Sequence, residues 1–157
     1  MPKETCCPKF DPSLLDDKTS IWDNKLFIKD SVRQLFHIPL NMNAVITRMW
    51  NAIEKADVMV DDKDILMLAH DPSPWKSDIY MNVRDTVPGA EMVKISGTFI
   101  SKVFDGPYSS VPKWITEMDS MLSSRGKKAK KYYFYYTTCP KCAKVYGHNY
   151  VVAFAEV

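Results

Sequence analysis

The chain repeats itself. Phe36-x-x-Pro39 returns as Phe104-x-x-Pro107 at an offset of 68, and Ile46-Thr47-x-Met49 returns as Ile115-Thr116-x-Met118 at 69. Asp71-Pro72 stands against Cys139-Pro140 at 68, and Tyr80 against Tyr150 at 70. An ordered series of matches with single-residue drift marks a duplicated structural unit. Such a unit exposes one apolar sheet face and one helix stripe that a single copy cannot fully bury, so two copies must pair to complete a core. The pairing leaves a pseudo-twofold seam, and clefts between such units are common places for ligands.

Hydrophobic periodicity fills in the unit. The first twenty or so residues carry Pro2, Pro8 and Pro12 and little periodicity, so residues 1–23 read as an irregular arm. Residues 26–38 read as a strand, broken by Asp30 and Ser31. Val45, Ile46, Met49, Trp50 and Ile53 then recur at helical spacing, and residues 65–68 and 79–83 read as two short strands around a turn at Asp71, Pro72, Ser73 and Pro74. After Pro88-Gly89 the order returns. Residues 92–104 form a long strand, Val111, Trp114, Ile115, Met118, Met121 and Leu122 a helix stripe ended by Gly126, and residues 131–137 and 150–154 two more strands. The expected fold is α/β of the α+β kind: tandem β-α-β-β repeats, about 24–87 and 88–157, forming a pseudo-twofold antiparallel sheet with two helices.

Composition excludes several function classes. With 21 basic against 19 acidic residues, the net charge of +2 argues against nucleic-acid binding through charge. The run Arg125, Lys127, Lys128, Lys130 and Lys131 reads as a solvated turn and strand start. No stretch approaches the roughly 18 apolar residues of a membrane span, and residues 1–9 lack a secretory signal. A cytoplasmic location is expected, in which Cys6, Cys7, Cys139 and Cys142 stay reduced.

The stretch from Gly97 through Phe104, Gly106-Pro107-Tyr108 and Trp114 to a tyrosine-rich strand ending in Thr138-Cys139-Pro140 resembles the gyrase-inhibitor-like (GyrI-like) small-molecule-binding family. The duplicated β-α-β-β order agrees over about residues 24–157. The resemblance implies a cleft for amphipathic or cationic compounds, in a family of ligand sensors, gyrase modulators and hydrolases that open strained electrophilic rings; fold alone does not choose among them. It also implies a glutamate two residues before the tyrosine of the penultimate strand. If that tyrosine is Tyr136, this chain has Phe134 in its place.

Candidate chemistry follows from residue type. Tyr132, Phe134 and Tyr136 share one strand face and read either as a ligand wall or as core. Tyr80, Tyr108, Trp114, Phe134 and Tyr136 are the expected ligand contacts, drawn from both halves. Tyr136, His37 and Glu91 are the expected catalytic groups: a hydroxyl to orient, and an imidazole or cleft carboxylate to activate water. By the repeat offset His37 is equivalent to Asp105, and the two would approach across the seam. His70 and His148 could also act as a base, although each of the three histidines reads first as a surface or hydrogen-bonded group. Asp78 shares a face with Tyr80 as a further candidate acid, and Glu117 reads as solvent-facing. No Ser-His-Asp order, phosphate-binding glycine loop or nucleophile elbow is present. Cys139-Pro-Lys-Cys142 can direct two thiolates at a structural zinc, with Cys6 and Cys7 completing four ligands; a redox pair and a packed thiol turn are the other readings. No cofactor is required for the expected chemistry. The expected function is binding of a small amphipathic or electrophilic molecule in an aromatic cleft between the repeats, with hydrolysis as outcome. The alternative is a noncatalytic sensor or interaction module with a protein partner.

Overall fold

Two strands longer than the rest organise the chain. In the computed structural model, which describes residues 11–35, 38–61, 64–73, 75–137 and 144–157, these are β1 (Lys18–Leu35) and β5 (Glu91–Asp105). The chain divides inside both strands. One unit is Trp22–Ser96, and the other is Gly97–Val157 with the described residues up to Ile21.

The first-repeat unit contains most of β1, then β2 (Ile38–Pro39), α1 (Met42–Ala56), β3 (Met67–Ser73) and β4 (Lys76–Asn82). β4 lies antiparallel between β1 and β3, from Phe27↔Asn82 to Arg33↔Lys76 on one side and from Met67↔Met81 to Ser73↔Lys76 on the other. From Ser77 to Asn82 every residue of β4 is buried, as expected of a central strand. On α1, Val45, Met49 and Ile53 are buried, the stripe that periodicity predicts. The helix ends at Asp57, which takes the left-handed conformation, and Arg84 fastens the following segment through Nε to the Met59 carbonyl at 2.7 Å and Nη2 to the Asp57 carbonyl at 3.0 Å.

The second-repeat unit places β7 (Tyr150–Glu156) between β5 and β6 (Lys131–Tyr136), antiparallel to both. α2 (Val111–Ser124) buries Trp114, Met118 and Leu122 against Ile100, Phe104, Phe134, Val151, Ala153 and Ala155. Ala153 and Ala155 are small, which lets a helix carrying Trp and Met lie close to the strand. Gly126, at φ +70°, provides the left-handed residue past the helix end, and Lys127 N–H bonds back to the Leu122 carbonyl at 2.8 Å.

Two segments differ from the sequence expectation. β1 begins at Lys18, inside the stretch expected to be irregular. The residues before and at its start are held by distant partners: Ser101 Oγ donates to the Leu15 carbonyl at 2.7 Å, Val103 N–H to Asp16 Oδ1 at 3.1 Å, and Arg125 pairs with Asp17 at 2.8 Å. β3 runs through Asp71-Pro72, expected as a turn, with a bulge between His70 and Ser73 that takes up the irregularity. No described helix is long and apolar enough to cross a membrane.

Candidate functional site

Strand alternation sorts the side chains of the second-repeat unit onto two faces. Ile100, Phe104, Phe134, Val151, Ala153 and Ala155 meet α2, with Tyr132 and Tyr136 packed half-buried at the margins. Asp105, Tyr135, Tyr150 and Val152 therefore belong to the opposite face. The register brings Asp105 beside Tyr150, and Phe104, Val151 and Tyr136 into the next row, so all of these lie at one end of the three strands.

That end carries an oriented imidazole. His148 Nδ1 lies 2.7 Å from Asp105 Oδ2, and the His148 ring stacks on Tyr150 with centroids 4.9 Å apart and planes 13° from parallel. An ionised carboxylate only accepts, so Nδ1 carries the proton and Nε2 keeps the lone pair of the neutral ring. The other Asp105 oxygen accepts the Asn149 N–H at 2.9 Å. Asn149 Nδ2 donates to the Gly106 carbonyl at 2.6 Å, and Gly106 N–H to the Asn149 carbonyl at 3.2 Å. Partial burial would raise the Asp105 pKa, but the His148 hydrogen bond, the Asn149 N–H and attraction to His148 bring it below its ordinary value. Gly106, at φ +154°, has a conformation that L side chains rarely adopt, and a Cβ there would stand 3.4 Å from the Trp114 ring.

Trp114 is 5% exposed and stacks on Phe104 at 5.3 Å, and Phe134 is 8% exposed and stacks on Tyr132 at 6.4 Å. The structure thus gathers Trp114, Phe134 and Tyr136 into one cluster, with the first two rings in its core. The Tyr132 hydroxyl donates to Asp119 of α2. Burial, and then the bond and charge of Asp119, push the Tyr132 phenol well above its ordinary value of 10.0. A raised folded value means that the linked stability is fully present below about pH 10 and is lost as pH rises toward the folded value. Tyr132→Phe should therefore show a smaller fall in urea midpoint between about pH 9 and 11 than the parent chain; equal falls would mean that the bond to Asp119 is not made in solution.

Tyr80 and Glu91 belong to the first-repeat unit, where Lys29 links them. Tyr80 is buried, with the Lys29 ammonium 6.0 Å from its ring centroid, and Glu91 is exposed and 3.6 Å from the same ammonium. Lys29 also lies 3.8 Å from Asp78, which in turn meets Lys76 at 3.5 Å and the Ser31 hydroxyl at 3.2 Å. Burial draws the Lys29 pKa down, and Tyr80, Asp78 and Glu91 outweigh it, so the ammonium sits above its ordinary value. Both carboxylates are thereby matched by fixed cations. Tyr108 lies in the short 3-10 turn Tyr108–Ser110 ahead of α2. His37, Cys6, Cys7, Cys139 and Cys142 lie outside the described residues. Among the described residues no group of three or more His, Cys, Asp and Glu could hold a metal ion.

An apolar crevice in the first-repeat unit, lined by Trp50, Ile53, Met59, Met67, Met81 and neighbours, has no titratable lining group. Its one polar lining side chain, Asn82, is already bonded to the Leu66 N–H at 2.8 Å and the Asp64 carbonyl at 2.7 Å. The pair that sequence reasoning passed over is Asp105 with His148, separated by 43 positions. The only local hint was a histidine just ahead of a strand.

An antiparallel set of strands and one α-helix in each repeat define an α+β fold. The chain belongs to the bacterial hydrolase family, whose model matches residues 1–157. Among solved structures it is similar to the EcmrR C-terminal domain, with 11% identity, TM-score 0.69, and 91% of this chain and 97% of that chain covered. It is similar to a hydrolase from Listeria innocua, with 10% identity, TM-score 0.64 and coverage of 91% and 92%. It is also similar to SAV2435 bound to tetraphenylphosphonium, with 10% identity, TM-score 0.53 and coverage of 91% and 94%. The fold is accordingly GyrI-like, as the sequence resemblance implied. A search of curated proteins finds no match.

Proposed function

We propose that this chain binds a small amphipathic or electrophilic molecule against the aromatic rings at the end of the second-repeat sheet and hydrolyses it by acid–base activation of water. The observation that carries the reading, in a member of the bacterial hydrolase family, is that half-buried Tyr135 and Tyr150 share a sheet face with Asp105, to which His148 bonds, while half-buried Tyr136 stands at the same strand end on the α2 face. Tyrosine offers a flat apolar surface to a ligand and a hydroxyl able to orient or protonate a leaving oxygen. Tyr136→Phe keeps the ring and removes that hydroxyl. Turnover of 4-nitrostyrene oxide should fall by roughly 100- to 10,000-fold, with affinity for the compound held within about threefold. Unchanged turnover would remove Tyr136 from the chemistry.

A noncatalytic sensor is the second reading, supported by the likeness to SAV2435 bound to tetraphenylphosphonium. Saturable binding of that cation, with no turnover of any electrophilic probe, would select it.

A further inference from the structure

We propose that His148 is the general base of this site and that Asp105 positions it, so that water adds to the electrophilic carbon of an ester or epoxide probe as the carbon–oxygen bond is lost. The inference rests on the hydrolase reading above and assigns the group that activates water. Three observations carry it.

Asp105 occupies Nδ1 at 2.7 Å, which fixes the tautomer and leaves Nε2 as the basic nitrogen. Among the described residues no hydrogen bond reaches Nε2, and the His148 side chain is 51% exposed. Tyr150 fixes the plane of the ring by stacking at 4.9 Å, and the register Asp105↔Tyr150 holds both partners at the same strand end.

The imidazole is also unnecessary to the local structure. Three bonds already tie this corner without it: Asn149 N–H to Asp105 Oδ1, Asn149 Nδ2 to the Gly106 carbonyl, and Gly106 N–H to the Asn149 carbonyl. A histidine held in one tautomer, exposed and redundant as a tie is placed for proton transfer. Glu91 and Asp78, the carboxylates that could compete for the role, are matched by Lys29 and Lys76 in the first-repeat unit.

In the step itself, water oxygen bonds to the electrophilic carbon while His148 Nε2 takes the water proton. The carbon–oxygen bond breaks, its electron pair stays on the leaving oxygen, and the proton passes from the imidazolium through solvent to that oxygen. One water is added overall, and the imidazole returns to its neutral form.

The test uses the full chain, with 4-nitrophenyl acetate and 4-nitrostyrene oxide as probes and long-range nitrogen–proton NMR of the histidine rings, the His148 signals being assigned by their loss in His148→Gln. The neutral His148 ring should be the Nδ1–H tautomer in the parent chain and a mixture in Asp105→Asn. His148→Gln should lose roughly 100-fold or more in kcat on the turned-over probe, with KM within about threefold and an unchanged far-ultraviolet circular dichroism spectrum. Asp105→Asn should lower kcat by a smaller factor. An Nε2–H tautomer in the parent chain, or parental kcat in His148→Gln, overturns the base assignment and leaves the hydrolase reading standing. A parent chain inert to both probes overturns the hydrolase reading and the base assignment together.

Discussion

Replacing Trp114 with alanine is expected to lower the unfolding free energy by about 3–5 kcal/mol, the usual cost of deleting a large aromatic from a core. The indole is 5% exposed, lies parallel to Phe104 at 5.3 Å, and backs onto Gly106. Neighbouring strands hold Phe104 and Val151 by backbone pairing, so they cannot collapse into the space. The corresponding fall in melting temperature is about 6–20 °C for a chain of this size. Trp114→Phe, which keeps a ring against Phe104, should lose less than half as much. Guanidinium titration of both variants decides the matter, and a loss below about 1 kcal/mol for the alanine variant would mean that the ring is not core.

Phe134→Glu is expected to cost more than about 3 kcal/mol at neutral pH, because it places an unpaired carboxylate inside an apolar cluster. Phe134 is 8% exposed, and its described neighbours in that cluster are Ile100, Phe104, Trp114, Met118, Leu122 and the small residues of β7. Burial would raise the folded carboxyl above the unfolded value near ~4.3. The unfolded chain then ionises first as pH rises. The deficit should therefore grow upward from about pH 4.3 and shrink as pH falls toward it, while Phe134→Gln should show a deficit that is flat across the same range. Urea midpoints at several pH values compare the two. Parallel curves would show that position 134 is solvated. If Tyr136 is the family tyrosine, a deficit of this kind would mean that the glutamate implied by the GyrI-like resemblance is not restored as a working group by this one substitution.

Much of the architecture was legible because it rests on local periodicity. Val45, Met49 and Ile53, and Trp114, Met118 and Leu122, are buried as their helical spacing predicts. The repeat offsets announced one helix and one set of antiparallel strands in each half. Where interactions reach far along the chain, the reading fell short. Ser20, Asp23, Asn24 and Lys25 look like loop residues, yet they form β1; nearby, Asn24 N–H bonds to Ser96 Oγ at 2.8 Å and Ser101 holds the Leu15 carbonyl. Asp71-Pro72 carries a turn signal, but pairing with β4 draws it into a bulged strand.

The site divides in the same way. Composition and alternation marked the tyrosine strand, but two physical readings, ligand wall and core, share one pattern. Packing against α2 puts Phe134 in the core and leaves Tyr136 at its margin. The sequence by itself determined the duplicated unit, the helix stripes and the concentration of aromatic residues, because each depends on spacings of a few residues or on a fixed repeat offset. Only the tertiary structure decided which face each strand presents to its helix, and that Asp105 meets His148. That meeting depends on the antiparallel register of β5 with β7, which brings residues 43 positions apart within a hydrogen bond of each other, and no local pattern encodes it.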